Sequence, residues 1–168
     1  MENYFTEVKA TIAIFFTAVT TLLGWQGVMA LVWVLLMIMD YLSGSLAARK
    51  TGTWKSSVAR EGFLHKGGMI LVVLVALLAD IAMGAALPHI PVLNIAWPDI
   101  LFPTVLAWYI ITELGSILEN AVKMGAQVPS WLTKIFNAGL KVIDATGEKM
   151  SDAVENPESG ESTDAEYK

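Results

Sequence analysis

IMDYLSGSLAARKTGTWKSSVAREGFLHKGG, residues 38–68, is the stretch whose reading decides the fold. It opens inside a long apolar run that nevertheless carries Asp40 and the small residues Ser43, Gly44, Ala47 and Ala48. It then turns polar, setting Arg49, Lys50, Lys55, Arg60 and Lys66 against Glu61. It closes on Gly67-Gly68, directly before the apolar run MILVVLVALLADIAMGAAL. Lys and Arg beside a span resist translocation, so a basic loop between two membrane-length runs sets orientation. The loop at 49–67 is expected in the cytoplasm, and the rest of the topology follows from it.

Composition agrees with that reading. Over 168 residues the hydrophobic fraction is 55% and the charged fraction 16%, the latter well under the roughly 25% of soluble domains. Mean hydropathy is +0.56. The apolar residues come in runs, which implies an all-α integral membrane protein of several spans. With no Cys there is no disulfide framework, thiol nucleophile or thiolate metal site. The net charge of −5 averages a basic loop with an acidic tail. The opening MENYFTEVK sets Glu2 and Glu7 against Lys9, which is not the positive start of a cleavable signal. This segment is expected to stay in the mature protein.

Residues 10–48 are almost continuously apolar. One straight helix of that length would reach about 58 Å, nearly twice a hydrocarbon core of about 30 Å. A break is expected at Gly24-Trp25-Gln26-Gly27, separating spans over 10–25 and 28–48. The first is short and rich in Thr, so it either crosses a thinned bilayer or lies at the interface. Further spans are expected over 69–87 and 100–121, which makes three or four in all. Between them Pro88, Pro91 and Pro98 exclude a continuous helix. That loop is expected outside, and everything after Asn120 inside.

Beyond Pro129 the apolar Trp131, Leu132, Ile135, Phe136, Leu140 and Ile143 share a helical face opposite Lys134, Asn137, Lys141 and Asp144. An amphipathic helix over 130–144 at the inner membrane surface is expected, with Ser130 as its cap. A partner-binding helix is the alternative. The membrane domain is placed at 1–147. Residues 148–168 hold seven acids against two lysines and are expected to be disordered.

Asp40, Asp80 and Glu113 lie well inside spans, and no basic residue is expected at matching depth. A charge in that setting costs from about 2.5 to over 10 kcal/mol. Asp40 recurs at helical spacing with Gly44 and Ala48, and Asp80 with Ala76 and Gly84. Glu113 shares a side with Tyr109, Ser116 and Asn120. Such stripes either hold helices together permanently or line an aqueous lesion in another state. On this count Asp40, Ser43, Gly44, Asp80, Glu113, Ser116, Glu119 and Asn120 are the candidate intramembrane polar residues. Chemistry of other kinds has little to stand on. His65 and His89 have no neighbours at metal-ligand spacing, Ser56-Ser57 has no evident base, and Gly62, Gly67 and Gly68 follow no strand. No enzyme activity, metal or cofactor is expected. Anionic lipid explains the basic loop better than nucleic acid does.

Two blocks also carry a family resemblance. Asp40, Ser43-Gly44, Lys55-Ser56-Ser57, Gly62 and Lys66 form the first. The second is Tyr109, Glu113, the run Ser116-Ile117-Leu118-Glu119-Asn120, Gly125 and Pro129. In this order, with spans between, they resemble the phage holins related to clostridial toxin-secretion holins. Lys66 stands alone where that pattern has a basic pair, and the acidic tail is a further departure. The resemblance implies a homo-oligomer in the bacterial cytoplasmic membrane. It would open lesions that release a murein hydrolase, which need not bind the holin directly. A holin-like toxin exporter is the alternative within this class. A small proton-coupled carrier using the three intramembrane acids, or a passive scaffold, are the alternatives outside it.

Overall fold

The computed structural model describes residues 2–90 and 97–155, except the side chains of residues 2–5, 12, 15, 16, 19, 22 and 23. The described residues form four α-helices: α1 (Glu2–Lys50), α2 (Ser56–Ala86), α3 (Leu101–Lys123) and α4 (Ser130–Glu155). A short 3-10 turn, Leu87–His89, extends α2. No strand occurs among the described residues. Among the described residues three segments are long and apolar enough to cross a membrane: Gly24–Lys50, Ser56–His89 and Leu101–Lys123. The chain is a multi-pass membrane protein.

The expected break in the first apolar run is a kink at Gly24, whose φ of 66° and ψ of −170° leave helical space. A residue with a Cβ adopts that φ at a steric cost, so glycine is what permits the bend. The described side chains between residues 6 and 21 are exposed.

α3 is the hub. It packs along α1, α2 and α4, while α1 and α2 scarcely meet. Trp33 lies beside Tyr109, Gly44 beside Asn120, and Lys50 beside Met124, so α1 and α3 run in the same direction. α2 runs against both. The core joins Trp33 and Met37 of α1, Met69 and Val73 of α2, and Phe102 and Leu106 of α3. Leu71, Val75 and Leu78 of α2 are each more than 60% exposed. Large aliphatic side chains facing outward along a span are the surface that lipid covers.

Three boundaries differ from those read in the sequence. The loop expected over 49–67 is a turn at 51–55, after which α2 already begins. Ala59, Arg60, Glu61, Phe63 and Leu64 are competent helix residues despite their polar neighbourhood. The helix expected over 130–144 continues to Glu155, taking in the first eight residues of the segment expected to be disordered. The remainder of that tail, and residues 91–96 of the expected outer loop, lie outside the described residues.

The placement of α4 is the third difference. It does not leave the bundle to lie across its end. It turns back at Gly125, whose φ is 92°, and packs lengthwise on α3. Gly139 comes against Ile111, Asp144 against Trp108, and Gly147 lines one cavity with Thr104 and Val105. The Glu155 end of α4 therefore lies toward the Leu101 end of α3.

A candidate intramembrane polar centre

Lys66 joins two carboxylates that the sequence places 73 residues apart (113 − 40). Its Nζ lies 2.7 Å from both oxygens of Glu113 and 3.0 Å from Asp40 Oδ2. Asn120 Nδ2 donates to the other Asp40 oxygen at 3.0 Å and also meets Ser43 Oγ at 3.1 Å. Ser43 Oγ in turn donates to the Asp40 carbonyl. Five of the candidate residues thus form a single network, if the Gly44 that admits Asn120 is counted with Asp40, Ser43, Glu113 and Asn120. A Cβ on Gly44 would sit 3.4 Å from Asn120 Nδ2.

Asp40 and Glu113, expected to be unpaired, have a cation at their own depth. The sequence reading puts Lys66 in a loop, but α2 starts ten residues before it and carries it into the bundle as a half-buried side chain. A lysine stem lets the ammonium reach a carboxylate well off its own Cα level. The two acids still outnumber the one cation. The network carries a formal charge of −1 when all three groups are ionised, so it depends on the amide, the hydroxyl and access to water. Access exists. A cleft of about 260 Å³ between α1 and α2 reaches the network, lined by Asp40, Gly44, His65, Lys66, Glu113 and Ser116 among others.

Asp80 belongs to a different structure. It is 4% exposed and accepts from Trp97 Nε1 at 2.8 Å, Leu101 N at 3.2 Å and Phe102 N at 2.7 Å. The first turn of a helix has amide donors with no carbonyl partners. Ile100 at the cap offers no side-chain bond, and Pro103 has no N–H to satisfy. Asp80 therefore caps α3 from the neighbouring helix, and its charge meets the positive end of the helix dipole.

The remaining candidates are dispersed. Ser116 borders the cleft, whereas Glu119 is exposed on the α4 side of α3 beside Phe136 and Asn137. Arg49, Lys55 and Arg60 are exposed near the 51–55 turn, with Arg49 5.7 Å from the Trp54 ring. Lys50 donates to the carbonyl of Met124 and so closes the far end of α3. Sequence reasoning misses the pairing roles of Lys66, Trp97 and Lys50. The one available signal is Lys66 itself, three residues before the apolar run and within helical reach of it. Among the described residues no group of three or more His, Asp or Glu is placed to hold a metal.

The arrangement is a polar seam through an apolar helix bundle, ordered along the chain as the two motif blocks had it. The profile of the bacteriophage holin family matches residues 17–140, which takes in all three spans and the start of α4. This chain belongs to the bacteriophage holin family. Relatives of the holin are themselves uncharacterised. One from Halalkalibacterium halodurans is 30% identical, covering 74% of this chain and 87% of its own length. One from Clostridium perfringens is 29% identical over 79% and 92% respectively. One from Listeria monocytogenes is 31% identical over 68% and 73%. No solved structure matches the holin.

Proposed function

We propose that this holin accumulates in the bacterial cytoplasmic membrane, assembles with copies of itself, and opens lesions through which a murein hydrolase reaches the cell wall. The observation that carries the reading is the family match over residues 17–140, which takes in the three spans found among the described residues. The basic turn at 51–55 and its flanks face the cytoplasm in this reading, because Arg49, Lys50, Lys55 and Arg60 cluster there. The holin needs no contact with the hydrolase, since the lesion alone provides the route.

Co-expression with a cytoplasmic murein hydrolase tests it. Lysis should begin abruptly once the holin passes a threshold amount, because assembly is collective. Lysis that rises in proportion from the lowest dose would contradict assembly. Retention of the hydrolase while one small solute accumulates against its gradient would identify a carrier instead.

A further inference from the structure

The network around Lys66 ties up Asp40, Glu113 and Asn120 within one subunit, and Asp80 is consumed in capping α3. These residues are poor material for the wall of an aqueous passage. α4 offers a better one. Its 26 residues extend about 39 Å at 1.5 Å per residue, enough to cross a hydrocarbon core of about 30 Å. It lies alongside a span, as the contacts of Gly139 with Ile111 and Asp144 with Trp108 require.

Helical geometry divides α4 into three faces. Leu132, Phe136, Leu140, Ile143 and Met150 are half-buried and turn toward α3. Trp131, Ile135 and Val142 form an exposed apolar flank, which ends at the exposed Lys149. Lys134, Asn137, Lys141, Asp144, Glu148 and Asp152 are exposed on a third side, whose edge meets α3 where Asp144 accepts from Trp108 Nε1. Lys141 and Asp144 stand near the middle of α4, where lipid covers a charge only at a cost of about 2.5 to over 10 kcal/mol. Nor does a second copy cover this face dry. Copies inserted in the same orientation bring α4 helices side by side in parallel. That sets Lys134 by Lys134 and Glu148 by Glu148, and like charges repel. Water is the occupant that fits.

Resting on the reading that the protein forms lesions, we propose that the charged face of α4 is the water-facing wall of the lesion. The apolar flank then meets lipid or the neighbouring subunit, and α3 is the strut that holds α4 upright. Basic side chains lie toward the Lys123 end of the passage and acidic ones toward the Leu101 end.

The absence of Cys allows a direct test with the full chain in vesicles loaded with a small dye. Single cysteines are placed at Asn137 and Lys141 on the charged face, and at Val75 on the lipid-facing side of α2. Each variant's dye flux is compared before and after a bulky, charged, membrane-impermeant thiol reagent. The flux of Asn137→Cys and Lys141→Cys should fall several-fold, and that of Val75→Cys and the unsubstituted protein should hold. In a second measurement, Lys134→Glu with Lys141→Glu should raise cation-over-anion permeability several-fold. Unchanged flux in the two charged-face variants, together with unchanged ion preference, would overturn the proposal while leaving lesion formation standing. Failure of the unsubstituted protein to release dye would overturn lesion formation, and the lumen with it.

Discussion

Two carboxylate sites in the same bundle are handled in opposite ways. At the Leu101 end of α3, Asp80 meets only neutral donors, two of them backbone amides that any helix start leaves free. Toward the other end, Asp40 and Glu113 share one ammonium and are completed by an amide side chain. The first site is stoichiometric: donors and acceptors are matched, water is excluded, and the helix start is pinned. The second carries the same formal charge of −1, spread over two carboxylates and one ammonium, and it opens to a cleft. A cap built on neutral donors leans on backbone geometry, whereas an ion cluster makes the joint depend on each charged member.

The sharpest way to break the contrast is to remove the cation. Lys66→Met leaves two acids unpaired between helices, and breaking a buried pair from one side costs about 3–5 kcal/mol. The amount of folded protein in the membrane should fall severely, as measured by quantitative membrane fractionation and melting in detergent. Adding Asp40→Asn and Glu113→Gln to Lys66→Met should restore much of it, because no uncompensated charge then remains. A Lys66→Met protein as stable as the parent would show that the pair contributes nothing.

Asp80→Ala should come next. It strips two amides and an indole of their shared acceptor, at about 1–3 kcal/mol for the buried donors left unsatisfied. Hydrogen exchange should speed up at Leu101 and Phe102 while protection around Lys66 is retained. Exchange rising equally at both ends would merge the two sites into one cooperative unit.

Gly44 separates size from charge. Gly44→Ala puts a methyl group in ordinary contact with Asn120 and should shift the melting temperature little. Gly44→Val should displace Asn120 from Asp40 and destabilise by about 1–3 kcal/mol, the range of overpacking. A smaller effect than that of Gly44→Val belongs to Trp108→Phe. It removes one exposed hydrogen bond to Asp144 and should cost no more than about 0.5–1.5 kcal/mol. It should loosen α4 without touching either carboxylate site, which proteolysis near residue 144 would detect.

The spans are legible in the residues alone because the property that makes them is local. A run such as MILVVLVALLAD is apolar whatever surrounds it, and the Gly24-Trp25-Gln26-Gly27 break, the Pro-containing link and the two family blocks are likewise written in contiguous residues. The candidate polar residues are legible for the same reason, since an acid inside an apolar run is conspicuous. Their partners are not. Whether Lys66 meets Glu113 depends on the axial register of α2 against α3, and that register is set by packing of Met69, Val73, Phe102 and Leu106. The cap of α3 is a residue 21 positions earlier, on another helix. The sequence of α4 specifies an amphipathic helix and nothing about what its apolar side covers. A membrane surface and the flank of α3 satisfy the same periodicity, and only the turn at Gly125 and the fit of Gly139 on Ile111 choose between them. The sequence by itself thus determined the three long apolar spans and the family they belong to. The tertiary structure alone decided how the buried charges are matched and where the charged helix stands, because both depend on contacts between segments that no local composition encodes.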